Sequence, residues 1–148
     1  MALRHGTFHY DIHARCPVTD AVALMADVPR LTSRHPLAVG TRELPPDEGS
    51  LRSTAVTSRL RWGPLRFRIT YRANVLTVTE DEVVTVALQR PNTTLVNRSR
   101  FAEGPEGTHI GVDITFSSPA LLFPYAFRNA QFAHRGLAIG IKDMLEGR

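Results

Sequence analysis

Residues 121–146 read LLFPYAFRNAQFAHRGLAIGIKDMLE, the one stretch of this 148-residue chain with a long, sustained helical repeat. Leu122, Ala126, Ala130, Ala133, Leu137, Ile141 and Leu145 recur at spacings of four and three, which stacks them on one helical face. At about 1.5 Å per residue such a helix runs roughly 35–40 Å. That length spans a small domain, so the remaining chain must wrap around it. The middle of the stripe is alanine, and Gly136 and Gly140 stand beside it although each glycine costs roughly 1 kcal/mol relative to alanine in a helix. This predicts a narrow-waisted helix with unfilled volume over the surface it packs against. The pattern points to a fold and a cavity, and by itself to no reaction.

Working outward, the preceding chain reads as strands and turns. Phe8, Tyr10, Ile12 and Ala14 alternate with His9, Asp11, His13 and Arg15, a half-buried strand over 7–15. Pro17 then suits the first turn of a helix with Val18, Val22, Leu24 and Met25 on its apolar side, closed by Asp27-Val28-Pro29. A second short helix is expected over 30–34, before His35-Pro36. Strand-like segments follow at 37–44 and 51–60, separated by Pro45-Pro46-Asp47-Glu48-Gly49 and ended by Trp62-Gly63-Pro64. Phe67, Ile69, Tyr71, Ala73 and Val75 alternate with Arg66, Arg68, Thr70, Arg72 and Asn74, the clearest inside–outside pattern in the chain. Three more strands are expected, around Val84–Leu88, over 94–102 and over 109–117, the last with Ile110, Val112, Ile114 and Phe116 on its apolar side. Short turns between consecutive strands impose antiparallel pairing. The expected class is therefore α+β: residues 1–148 as one domain, with two short helices after the first strand and a curved antiparallel sheet of about seven strands wrapped around the long C-terminal helix.

Composition narrows the function classes. The formal net charge is +4, almost all of the positive side chains being arginine, which favours planar or bidentate anionic partners. Both signs are interleaved and no dense basic run appears, so nucleic acid or ribosome binding is disfavoured. Cys16 is the single cysteine and cannot form an internal bridge, and the N-terminus lacks the apolar run of a secretory signal. A cytoplasmic location is expected. The longest uncharged stretch, 114–127, is interrupted by Pro119 and Pro124 and is too short to cross a bilayer, so integral membrane association is not expected.

The order of elements, together with ARCPVTDAVALMADVPRLTSRHP at 14–36 and GIKDMLE at 140–146, resembles the START-like (SRPBCC) superfamily of polyketide cyclases, lipid-transfer proteins and Bet v 1-like plant proteins. Pro17, Val18, Val22 and Asp27 stand at the matching positions of that family's strand-to-helix motif, followed by a His-Pro, here His35-Pro36. The similarity runs from Phe8 to Glu146 and is specific for fold rather than for activity. It implies a helix-grip fold with an apolar tunnel between sheet and long helix, holding a lipid, sterol, quinone or polyketide, with no cofactor. Some members cyclise or dehydrate their ligand, and one branch acts at the ribosome. Aromatase/cyclases of the polyketide branch resemble one another in an inward aromatic, a hydroxyl and an arginine within the sheet. Here Trp62, Arg66 and Arg68 are neighbours in sequence, but alternation sends those arginines outward, a departure from the cyclase pattern.

No nucleophile elbow, zinc-protease motif, phosphate loop or dinucleotide fingerprint is present. His5, His9 and His13 recur every four residues, yet on a strand successive members lie about 13 Å apart, too far to share one zinc ion, so no metal site is expected. Cys16 reads as a small packed residue, and Asp47-Glu48 and Glu80-Asp81-Glu82 as solvated turn tips. If Leu95 and Phe101 face the helix, Asn97 and Ser99 face it too and need polar partners there. With Tyr10, Phe67, Ile69, Tyr71, Tyr125, Asn129 and Phe132, and with Phe123 and Phe127, they describe an aromatic ligand site with a few convergent polar atoms, or a core whose polar groups are merely satisfied. In the opposite phase Val96, Arg98 and Arg100 face inward and the pocket gains a cation. His35 and His134 are the remaining acid–base candidates, without a carboxylate orienter in the sequence. Arg59, Arg61, Arg66, Arg68 and Arg72 surround the Trp62 turn, either as a basic ridge or as a solvated outer face that blocks edge association. Three functions follow: binding of a hydrophobic small molecule; a polyketide cyclase or dehydrase in which Tyr71, Asn97 and Ser99 are the catalytic candidates; or a ribosome- or nucleic-acid-associated role through the arginines.

Overall fold

Alternating apolar residues and short polar turns produce a meander of strands in the computed structural model, which describes residues 2–148. The elements are β1 (Leu3–Ala14), α1 (Val18–Met25), α2 (Val28–Thr32), β2 (Ala38–Leu44), β3 (Arg52–Trp62), β4 (Leu65–Val78), β5 (Glu82–Gln89), β6 (Thr93–Gly104), β7 (Gly107–Pro119) and α3 (Phe123–Leu145). One seven-stranded sheet has the order β1-β7-β6-β5-β4-β3-β2, antiparallel at every step. Only the β1–β7 pair joins strands distant in sequence, so α1 and α2 act as the connection between the two edges. Register shifts at Ala38/Gly40 and at Val75/Thr77 mark bulges, which bend strands and strengthen their twist. This is the helix-grip fold, with α3 held on the concave side.

The core occupies one end of that grip. Ile12, Leu24, Ile110, Val112, Leu137 and Ile141 are buried together where α1 and the C-terminal half of α3 meet β1 and β7. Nearer the start of α3, Phe123 stacks on Phe127 at 4.9 Å between ring centres, and Phe127 meets Phe8 edge-on at 5.7 Å. These aromatic contacts lean α3 toward β1 and β7. α3 is thereby held away from the β3–β5 side of the sheet.

Several local expectations change. α2 begins at Val28 because Asp27 caps it, its Oδ1 accepting from the Arg30 amide at 3.3 Å, and Pro29 sits in the first turn where no amide hydrogen is needed. β3 and β4 run on to Trp62 and Leu65, leaving only Gly63-Pro64 at the tip, with Gly63 at φ +59°. Asp47 is not a free turn tip: its carboxylate accepts from Arg72 at 2.8 Å and from Asn74 at 2.9 Å, folding the 45–50 loop onto the sheet. Gly136 and Gly140 do not border the unfilled volume. A Cβ on Gly140 would stand 2.5 Å from the Arg34 Cβ, and one on Gly136 3.0 Å from the Pro36 ring, so these glycines admit the loop after α2. No described helix is long and apolar enough to cross a membrane.

Candidate functional site

The unfilled side of the grip is a cavity of ≈ 340 Å³ between α3 and the β3–β6 part of the sheet. Its helical wall is the alanine stripe: Leu122, Ala126, Ala130, Ala133 and Leu137, flanked one row over by Tyr125, Asn129 and His134. The sheet wall takes the inward set of β4, Phe67, Ile69, Tyr71 and Ala73, continued by Ser58, Leu60 and Trp62 of β3. Thr85 and Ala87 of β5 and Leu95 and Asn97 of β6 complete it, while Leu31, His35 and Leu37 close one end. The volume exists because the waist of α3 presents only methyl groups to the sheet across the gap. It lies at the lower end of the roughly 300–1,000 Å³ usual for small-molecule sites.

Few polar atoms face this apolar space, and most of them are uncharged. Ser58 Oγ and Asn129 Nδ2 are buried without a hydrogen-bond partner, a costly arrangement of about 1–3 kcal/mol for each group. Burial pushes the Tyr71 phenol up to about 12, with the nearby Ser58 hydroxyl pulling weakly the other way although it completes no hydrogen bond of good geometry. Asn97 Oδ1 accepts from the Ser99 hydroxyl at 2.9 Å. His35 Nδ1 accepts from the Leu37 amide at 3.2 Å, which leaves the proton of the neutral ring on Nε2. Burial lowers the His35 pKa to about 4. His134, 2.7 Å from the Tyr10 hydroxyl through Nδ1, is also lowered to about 4, first by burial and then by the neighbouring His35. Both rings are neutral near pH 7.

The structure brings Phe67, Ile69, Tyr71, Asn97, Tyr125 and Asn129 to the cavity wall. Four other candidates lie elsewhere. Tyr10 points inward, but its hydroxyl is taken by His134 and its ring packs in the core. Ser99 is buried behind Asn97, which it supports. Phe101 sits with Leu24 and Ile110 under α1, since β6 passes beyond the cavity before reaching that position. Phe132 is 54% exposed, because one residue before Ala133 means a rotation of about 100° around the helix. Phe123 and Phe127 stack toward β1 and β7. Arg98 and Arg100 face outward toward Glu82 and Asp113, at 3.6 and 3.9 Å, so the reading with a buried cation is set aside.

Sequence reasoning missed Ser58, Leu60 and Trp62 as wall residues, although they share the alternate-residue phase of β3; Ser58 and Leu60 lay within the expected strand 51–60, and only Trp62 lay beyond its expected end. It also treated His35 and His134 separately. Only the docking of the 34–36 loop on the glycine face of α3 brings those two rings to one cavity. On the outer face, His9 bridges Asp113 at 2.8 Å and Asp11 at 3.0 Å, and Asp11 also accepts from His109 at 2.7 Å. No group of three or more His, Cys, Asp or Glu among the described residues is arranged to hold a metal ion. Cys16 is half-buried, and burial raises its pKa, which keeps it a thiol.

A sheet gripping a long helix over an apolar cavity defines the START-like class of folds, and this chain has that fold. Solved structures similar to it include the di-domain ARO/CYC BexL from the BE-7585A biosynthetic pathway, at TM-score 0.76 and 16% identity over 97% of this chain and 51% of that one. A START superfamily protein from Mycobacterium smegmatis matches at TM-score 0.69 and 13% identity, covering 95% and 96% of the two chains. The Zhui aromatase/cyclase from Streptomyces sp. R1128 matches at TM-score 0.61 and 12% identity, over 96% and 95%. The chain spans about half the length of the di-domain proteins it matches. No protein-family model and no curated protein matches its sequence.

Proposed function

We propose that this protein binds a hydrophobic small molecule, of the lipid, quinone or polyketide class, in the cavity between β3–β6 and α3. The observation that carries this is the cavity itself, ≈ 340 Å³ behind a mostly apolar wall with a few polar side chains, Tyr71 and Asn97 among them. A ligand with an apolar body fills that volume, and a hydrogen-bonding group on it meets the polar side chains of the lining. The free thiol of Cys16 accords with a cytoplasmic setting. Native mass spectrometry of freshly purified protein, followed by thermal shift with a panel of lipids, quinones and aromatic polyketides, tests the reading. At a hundredfold excess over Kd, binding stabilises by about 2.7 kcal/mol, which for this size is a rise of roughly 5–10 °C. A bare protein that gains nothing from the whole panel refutes it.

A second reading, a cyclase or dehydrase acting in the same cavity, is favoured by Tyr71 and Asn97 on the sheet wall with two neutral imidazoles lining the same space and by the aromatase/cyclases among similar structures. There Tyr71 and Asn97 orient and polarise a carbonyl, with Ser99 holding the Asn97 amide. Tyr71→Phe with Asn97→Ala is then expected to remove turnover of a poly-ketone substrate while the melting transition stays cooperative. Turnover that survives in the double variant assigns the chemistry to other groups.

A further inference from the structure

The β3–β4 hairpin has two unlike faces. Its inward row ends in Trp62, Leu65 and Phe67, which are 48%, 67% and 36% exposed. Its outward row carries Arg59, Arg61, Arg66 and Arg68, all exposed and none within reach of a carboxylate among the described residues. The register sets Arg59 directly opposite Arg68 and Arg61 directly opposite Arg66. Like charges facing each other across a strand pair destabilise it, so the fold gains nothing from this arrangement. An anion laid against the hairpin removes the penalty.

The tip also stands at the mouth of the cavity. Tyr125, in the first turn of α3, stacks on Trp62 at 4.7 Å and donates to the Arg61 carbonyl at 2.5 Å. Leu121, 93% exposed, lies one turn before it. The apolar end of the molecule is thus built from two segments, the hairpin tip and the approach to α3. We propose that this end docks on an anionic lipid bilayer, with Trp62, Leu65 and Leu121 entering the headgroup boundary and the four arginines contacting lipid phosphates.

The placement of charge favours a bilayer over a nucleic-acid strand. Trp62 and the arginines point to opposite faces of the hairpin, so a single strand stacked on the indole does not meet them. A surface entered tip-first surrounds both faces at once. Arg61 and Arg66 sit next to the tip, and Arg59 and Arg68 about 7 Å further back at roughly 3.3 Å per residue. That ladder matches the approximately 5–10 Å depth of headgroup insertion typical of interfacial segments. The inference rests on the hairpin and stands whether or not the cavity is filled.

Trp62 is the only tryptophan of the chain, which makes it a built-in probe. Its emission is expected to shift to the blue with phosphatidylcholine–phosphatidylglycerol vesicles at low salt, to be quenched by lipids carrying a bromine or nitroxide on the upper acyl chain, and to change little with phosphatidylcholine alone. Added salt should reverse the binding. Arg61→Gln with Arg66→Gln should weaken partitioning roughly 30-fold, about fivefold per arginine, at a melting temperature that stays level or rises, since the like-charge pair is removed. Leu65→Ser with Leu121→Ser should abolish the acyl-chain quenching. No blue shift with anionic vesicles, or partitioning indifferent to the arginine pair, overturns the proposal. Tighter binding of a single-stranded oligonucleotide than of vesicles overturns it as well.

Discussion

Ala126→Phe combined with Ala130→Phe is expected to abolish ligand binding while leaving the protein folded. Both methyl groups face the cavity of ≈ 340 Å³ from one face of α3, so two benzyl groups enter empty space rather than a packed core. The usual cost of inserting bulk, about 1–3 kcal/mol where neighbours must move, is largely avoided. Burying each ring contributes roughly 1.5–3 kcal/mol in the favourable direction, and the ligand-free melting temperature should stay level or rise. The stabilisation by ligand, about 2.7 kcal/mol at a hundredfold excess over Kd in the unaltered protein, should fall to near zero. Thermal melts with and without ligand read both quantities. A full ligand-dependent shift in the double variant places the ligand outside this cavity.

Acid should weaken the fold well above the range in which carboxylates titrate. His134 and His35 have folded pKa values of about 4, below the usual value near 6.5. The unfolded chain therefore takes up protons first. Their contribution is complete above about pH 6.5, declines as pH falls toward 4, and changes no further once both states are protonated. For His134 a shift of this size amounts to about 3 kcal/mol; the more accessible His35 contributes less. The groups facing His134 are Tyr10 from β1 and His35 from the loop after α2, neither of which supplies a negative charge to hold a proton on the ring. Exposed His9 runs the opposite way: Asp113 and Asp11 raise its pKa, so its small contribution is present at low pH and lost as pH rises through that raised value. Asp11 and Glu146, whose pKa values are lowered, contribute stability that is present above the ordinary carboxylate value and is lost only as pH falls below it.

Urea midpoints between pH 7 and pH 4 separate these effects. Tyr10→Phe with His134→Leu removes both ends of one hydrogen bond, so stability at pH 7 should remain close to that of the unaltered protein while the slope between pH 6.5 and 4 flattens. His134→Leu alone strands the Tyr10 hydroxyl and should cost about 1–3 kcal/mol at pH 7. An unchanged slope in the double variant would exclude His134 as the source of the acid sensitivity.

The arrangement of strands and helices was legible in the chain because it follows from local chemistry. Alternation in β4 and β7, turn residues between strands, and spacings of three and four in 121–146 each act over a few neighbours. Those patterns determined the antiparallel sheet, the long helix across it, and the inward direction of Phe67, Ile69, Tyr71 and Asn97. They also contained the signal for Leu60, inside the expected strand, and for Trp62, which a longer reading of the same phase would have found. Phe132 was misplaced for a related reason. An aromatic next to a stripe is not on it, and each residue of a helix turns by about 100°.

What the sequence determined by itself, then, was which side chains face the concave side of the sheet. Only the tertiary structure decided which of these meet a void and which meet one another. Phe123 and Phe127 pull α3 toward β1 and β7, and the cavity opens over β3–β6 as a result. Gly136 and Gly140 receive the Arg34–Pro36 loop, and that contact sets His35 near His134. Tyr10 and His134 are 124 residues apart and bond directly. The physical reason is that periodicity encodes direction relative to a local axis, whereas the separation between two packed elements is set by the summed contacts of residues distant in the chain.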